Sequence, residues 1–162
     1  MNAPDLPATP PRSVFVYGTL MPGERNAWVA HTAAPPLRAE RAQLRGYTLY
    51  DLRPEGYPAL TENSPATAAQ TTVEGWVLHY GEGWEMALPH LDDLEGLHLT
   101  PPLYHRQQAS AATERGPKMV WVYVYARTDR LLQPGAVVVL SGRWTDTADR
   151  ELDTGWPGVG EG

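Results

Sequence analysis

The stretch GWEMALPHLDDLEG, residues 83–96, carries a helical hydrophobic period, and its reading decides how the rest of the chain is arranged. At about 100° per residue, Trp84, Leu88, Leu91 and Glu95 fall in one narrow sector of the helical wheel, so a carboxylate stands in line with the apolar stripe. Asp92 and Asp93 are expected on the flank and the far side, as solvated acids. Glu95 is the exception. It ends the periodic run just before Gly96, where the helix dipole is negative, and burial would add desolvation; both raise a carboxyl pKa. A raised pKa suits a group that transfers protons. Two plainer readings stay open: Pro89 splits the helix and Glu95 swings to solvent, or Glu95 pairs with an arginine.

The segments on both sides of this stretch read as strands. Upstream, Thr71 to Tyr80 carries large groups on both faces, as a central strand of a sheet or barrel does. Downstream, Tyr104 to Ser110 and Met119 to Ala126 form a hairpin around the turn-like Glu114-Arg115-Gly116-Pro117. Near the start, Val14 to Tyr17 is a short β-branched and aromatic run closed by Gly18, followed by a small-residue loop to Gly23 and a short helix that Asn26 caps. Between them lie strand patterns from Ala42 to Leu52, a turn at 53–56, an extended piece at Tyr57 to Leu60 and a polar loop from Glu62 to Gln70. A last β-branched run spans Ala136 to Leu140. About six strands with one well-formed helix and one shorter one predict an α+β fold, its sheet curled towards a barrel and flanked by helices.

A chain of 162 residues fits one domain, here expected over 13–150, with a flexible N-terminal arm at 1–12 and a flexible C-terminal tail at 151–162. The absence of cysteine removes disulfides and thiolate chemistry. His31, His79, His90, His98 and His105 show no metal-ligand spacing, and there is no P-loop, dinucleotide fingerprint or nucleophile elbow, so no metal or cofactor is expected. A net charge of −6 argues against a nucleic-acid partner. No apolar run is long enough to span a bilayer and no signal-like segment opens the chain, so a soluble, cytoplasmic protein with no membrane partner is expected. Oligomeric state is not legible.

Two features remain for chemistry. One is the strand-to-loop step Tyr17-Gly18-Thr19-Leu20, where a glycine allows close approach and consecutive N–H groups can converge on an anion or a carbonyl oxygen; alone, it reads equally as an ordinary turn. The other is Glu95, with Tyr104 and Arg106 returning on the next strand. Tyr104 reads equally as an interior aromatic, and Arg106 as the ion-pair partner of Glu95.

Together, VFVYGTL, GYTLYDL with GYPAL, EGWVLHY, LDDLEG and LYHR, in this order, resemble the γ-glutamylcyclotransferase-like family, which includes the γ-glutamylamine cyclotransferases and AIG2-like proteins. The resemblance runs from about Val14 to Ala126. It implies a small β-barrel flanked by helices, and a reaction in which the α-amino group of a γ-glutamyl amide attacks its own γ-carbonyl, releasing 5-oxoproline and an amine or amino acid. It implies Glu95 as the acid/base, and Tyr17, Gly18, Thr19 and Leu20 as the loop holding the glutamyl end, with a small-molecule γ-glutamyl substrate as the partner. Alternatives on the same fold are a non-catalytic module for a small carboxylate and an enzyme that transfers or hydrolyses the acyl group without cyclising it. A second carboxylate beside an anionic ligand counts against the pure binder.

Overall fold

The structure is a computed structural model and describes residues 9–63 and 71–147. The expected C-terminal tail and most of the polar loop after Glu62 lie outside the described residues.

In β5 (Thr72–His79), Val73, Gly75 and Val77 are buried on one face and Leu78 on the other. A strand covered on both faces belongs inside a sheet, and β5 is flanked antiparallel by β1 (Ser13–Val16) and β2 (Arg38–Arg45). β2 continues to β6 (Tyr104–Thr113), which forms a long hairpin with β7 (Gly116–Tyr125). β7 then closes the barrel on β1 through a parallel pairing, Val14 opposite Trp121. The curled sheet of the sequence reading is thus a closed five-stranded barrel, filled by Phe15, Leu44, Val73, Val77, Val120 and Val122. The hairpin turn is tighter than the four residues expected, since β7 already begins at Gly116.

A second, three-stranded sheet, β4–β3–β8, was not foreseen. β3 (Tyr47–Leu52) leaves the barrel after Gly46 and pairs with β4 (Tyr57–Glu62) and with β8 (Ala136–Val138). Periodicity marks strands but not which sheet each one joins. This sheet places Tyr57 and Pro58 beside the open end of β1.

The helix α1 (Trp84–Leu94) is unbroken, with Pro89 on its exposed side, so Trp84 stays on the buried stripe with Ala87 and Leu91. One expectation needs correction: Asp92 is not a solvated flank residue but is buried against the barrel. The expected short helix is a 3-10 turn, Ala27–His31, and Asn26 does not cap it; its side chain turns back to the first loop. The last residues of the expected N-terminal arm are docked, with Pro11 O accepting from Trp121 Nε1 at 2.9 Å and Arg12 O from Tyr80 N at 3.0 Å.

Candidate active site

The end of α1 determines where Glu95 points. Glu95 is the C-cap, and Gly96 follows at φ +67°. The amide of Leu97 donates to Asp92 O at 3.2 Å and that of Gly96 to Asp93 O at 3.1 Å, the paired bonds of a Schellman motif. A side chain at residue 96 would be strained by its φ and would place a Cβ 2.9 Å from Leu99 Cδ1. The motif stops the helix one residue after its apolar stripe and leaves Glu95 facing the open end of β1.

Across from it, β1 runs out into residues 17–20. Their carbonyls close the loop: Gly18 O accepts from Met21 N at 3.0 Å and Thr19 O from Asn26 N at 2.9 Å. The Asn26 side chain donates to Thr19 Oγ1 at 3.0 Å. The N–H groups of Gly18, Thr19 and Leu20 have no hydrogen-bond partner among the described residues, although all three residues are buried. Buried backbone donors are normally satisfied. Successive N–H groups without a partner are what a site for a carboxylate or a carbonyl oxygen requires. Gly18 is required by its neighbour, because a Cβ there would lie 2.4 Å from Pro58 Cγ.

Glu95, Thr19 and Pro58 stand between two adjoining spaces. The inner one, about 20 Å³, is lined by Phe15 to Leu20 together with Pro58, Glu95 and Tyr123. The outer one, about 160 Å³, adds Arg25, Asn26, Tyr57, Leu94, Leu103 and Tyr104. A larger cavity of about 220 Å³, bounded by Arg41, Trp76, Arg143 and Trp144, touches none of the residues singled out in the sequence.

The electrostatics centre on Glu95. Burial, reinforced by the Asp92 carboxylate, pushes its carboxyl up to about 8. Asp92 is held by a bidentate pair with Arg106, Nε to Oδ1 and Nη2 to Oδ2 both at 3.1 Å, and by the Tyr123 hydroxyl, which donates to Oδ1 at 2.7 Å. Tyr17 donates its own hydroxyl to Tyr123 O at 2.6 Å, and Tyr104 donates to Pro58 O. Burial first keeps both phenols protonated; the Glu95 charge adds to it at Tyr17, and the neighbouring Tyr17 and then Glu95 add to it at Tyr104.

Of the residues singled out in the sequence, Tyr17, Gly18, Thr19, Leu20 and Glu95 therefore meet at one cavity, and Tyr104 joins Glu95 on its outer side. Arg106 lines neither space. Its partner is Asp92 rather than Glu95, and its guanidinium also lies 4.9 Å from the centroid of the Trp121 ring. Sequence reasoning missed Asp92, Tyr123, Pro58 and Arg25. Asp92 alone left a signal, since it stands three residues before Glu95 and so shares its side of the helix. Among the described residues no helix is long and apolar enough to cross a membrane, and no three His, Asp or Glu side chains group as a metal site.

Comparison with known proteins bears on this arrangement. A family model described as gamma-glutamyl cyclotransferase, AIG2-like, matches residues 14–146. No curated protein matches the chain. Among solved structures, YkqA from Bacillus subtilis is 23% identical with a TM-score of 0.57, over 82% of this chain but only 39% of YkqA. An AIG2-like protein from Mus musculus is 24% identical with a TM-score of 0.56, over 76% of this chain and 84% of that one. Kluyveromyces lactis allophanate hydrolase is 16% identical with a TM-score of 0.54, and the 90% of this chain that aligns corresponds to 22% of the hydrolase. At these identities the structures establish a shared fold.

Proposed function

The chain belongs to the gamma-glutamyl cyclotransferase, AIG2-like family, and from that premise we propose that it is a γ-glutamyl cyclotransferase that releases 5-oxoproline and an amine or amino acid from a γ-glutamyl amide. The observation that carries this reading is a carboxyl with a pKa raised to about 8 at the space lined by residues 18–20, whose backbone N–H groups have no partner among the described residues.

The chemistry follows from that placement. The substrate's α-amino group is an ammonium at neutral pH, with an ordinary pKa of about 8. A carboxyl near the same value accepts its proton with little free-energy change and can return it. Glu95 takes the proton, and the freed amine attacks the γ-carbonyl carbon to close a five-membered ring. The attack leaves the ring nitrogen with one proton too many. The protonated Glu95 delivers its proton to the amide nitrogen as the C–N bond breaks. The ring nitrogen then gives its excess proton to the restored carboxylate, which passes it to the departing amine, so the products are the neutral lactam and an ammonium. Nucleophile and electrophile belong to one molecule, and holding them in contact removes a large entropic part of the barrier. The amides of residues 18–20 suit the glutamyl α-carboxylate, with Thr19, steadied by Asn26, adding a hydroxyl. Tyr17 and Tyr104 line the walls around Glu95. Arg106 acts from behind, through Asp92. No part of this scheme calls for a cofactor, and the substrate is a soluble small molecule.

Incubation with a panel of γ-glutamyl amines and γ-glutamyl amino acids, with 5-oxoproline, glutamate and the released amine each quantified, tests the reading. It predicts 5-oxoproline in equimolar amount to the amine. Free glutamate in its place would identify a hydrolase.

A further inference from the structure

The outer space beside Glu95 contains a cation that the cyclisation scheme does not use. Arg25 lies in the loop after β1 and is half-buried. It lines this space with Tyr57, Leu94, Leu103 and Tyr104. One of its nitrogens, Nη2, donates to Gly56 O at 2.8 Å, which fixes the guanidinium on the β3–β4 turn. No carboxylate pairs with it among the described residues, whereas Arg106, on the barrel side of the helix, is held by Asp92. An oriented guanidinium with free N–H groups is matched to a carboxylate, which it can take through two parallel bonds.

We infer that Arg25 binds a carboxylate on the leaving group, so that the preferred substrates are γ-glutamyl amino acids or peptides rather than γ-glutamyl derivatives of simple amines. This rests on the cyclotransferase reading of the site. With the glutamyl α-carboxylate on the amides of residues 18–20, in the inner space, the scissile amide lies at Glu95 and the leaving group occupies the outer space. In an α-amino acid leaving group the carboxylate is attached one carbon from the departing nitrogen, on the same side of Glu95 as Arg25. The half-buried Leu94 and Leu103, with Tyr57, supply apolar walls for its side chain. A cationic leaving group would meet Arg25 with repulsion, and a neutral alkylamine would bring it no carboxylate.

Two substrates that differ only in this carboxylate test the inference: γ-glutamylalanine and γ-glutamylethylamide. The ratio of their kcat/KM values is measured in the unmodified protein, in Arg25→Met and in Arg25→Lys, each checked for an unchanged melting temperature. The expected ratio favours γ-glutamylalanine by at least tenfold, collapses to near one in Arg25→Met and is partly restored in Arg25→Lys. Equilibrium binding of both compounds to Glu95→Gln, with and without Arg25→Met, reads the same preference without turnover. A ratio near one in the unmodified protein, or one that survives Arg25→Met, overturns the inference while leaving cyclisation standing. If neither compound yields 5-oxoproline, the reaction reading fails and binding decides on Arg25 alone: a preference that Arg25→Met abolishes upholds its role, and no binding or no preference ends it.

Discussion

The Tyr123 hydroxyl donates to Asp92 Oδ1 at 2.7 Å, and through this bond the barrel wall fixes a second carboxylate on the helix face that carries Glu95. The same tyrosine accepts the Tyr17 hydroxyl at its backbone carbonyl. One residue of β7 thus ties the first-strand loop to the helix. The acid that adds to the burial-driven rise of the Glu95 pKa is part of the framework that positions the loop opposite it.

The pH dependence of catalysis follows. Glu95 must be ionised to accept the ammonium proton, so kcat/KM should rise with pH along a limb centred near 8. In Asp92→Asn the neighbouring negative charge is lost and Arg106 is left without its partner, both of which favour ionised Glu95. The limb should move to lower pH. A pH–rate profile of the two proteins checks this. Because the pair is largely buried, Asp92→Asn should also cost about 3 kcal/mol of stability, visible in denaturant unfolding.

Stability should respond to Glu95 with the opposite sense from an ordinary salt-bridged acid. Its folded pKa lies above its unfolded value, so between about pH 4.5 and 8 the folded state holds more proton than the unfolded one. Stability therefore falls as pH rises through that window. Glu95→Gln has no such term and should gain relative to the unmodified protein by up to a few kcal/mol at pH 8, with little difference at pH 4.5. Melting temperatures across this range measure the divergence.

Gly18→Ala should damage the site by overlap. Its Cβ would lie 2.4 Å from Pro58 Cγ and 2.7 Å from Pro58 Cβ, so the loop or β4 must shift. Overpacking of this kind costs about 1–3 kcal/mol, and the displaced amides should raise KM more than tenfold. Unfolding curves and steady-state kinetics on the purified variant separate the two effects.

Asn26→Ala removes the bond that steadies the Thr19 hydroxyl without touching Glu95. Its expected effect is a KM higher by severalfold, with the pH–rate midpoint unmoved. A shifted midpoint would mean that the loop influences the acid as well as the substrate.

Much of this was legible in the chain. The alternation in 72–79, the closing glycine after Tyr17 and the apolar stripe ending at Glu95 each report a local period or a backbone requirement, and such signals are readable without a partner. What was not legible depended on pairing across space. Arg106 was placed near Glu95 because the two are close in sequence, yet one turn of the helix and the reach of the guanidinium give it to Asp92. Asp92 looked solvated because the helical wheel puts it on the flank of the stripe, and only the barrel wall packed against that flank buries it. Tyr57 and Pro58 became site residues only because β3 and β4 leave the barrel for a second sheet, and no periodicity encodes that choice.

Whether Glu95 moves the proton is decided by Glu95→Gln, measured for both binding and turnover on one γ-glutamyl substrate. Glutamine keeps the size of the side chain but cannot exchange a proton with the α-ammonium. Saturable binding at comparable affinity is expected, with 5-oxoproline formation reduced at least a thousandfold; turnover within tenfold of the unmodified protein would rule Glu95 out as the proton carrier.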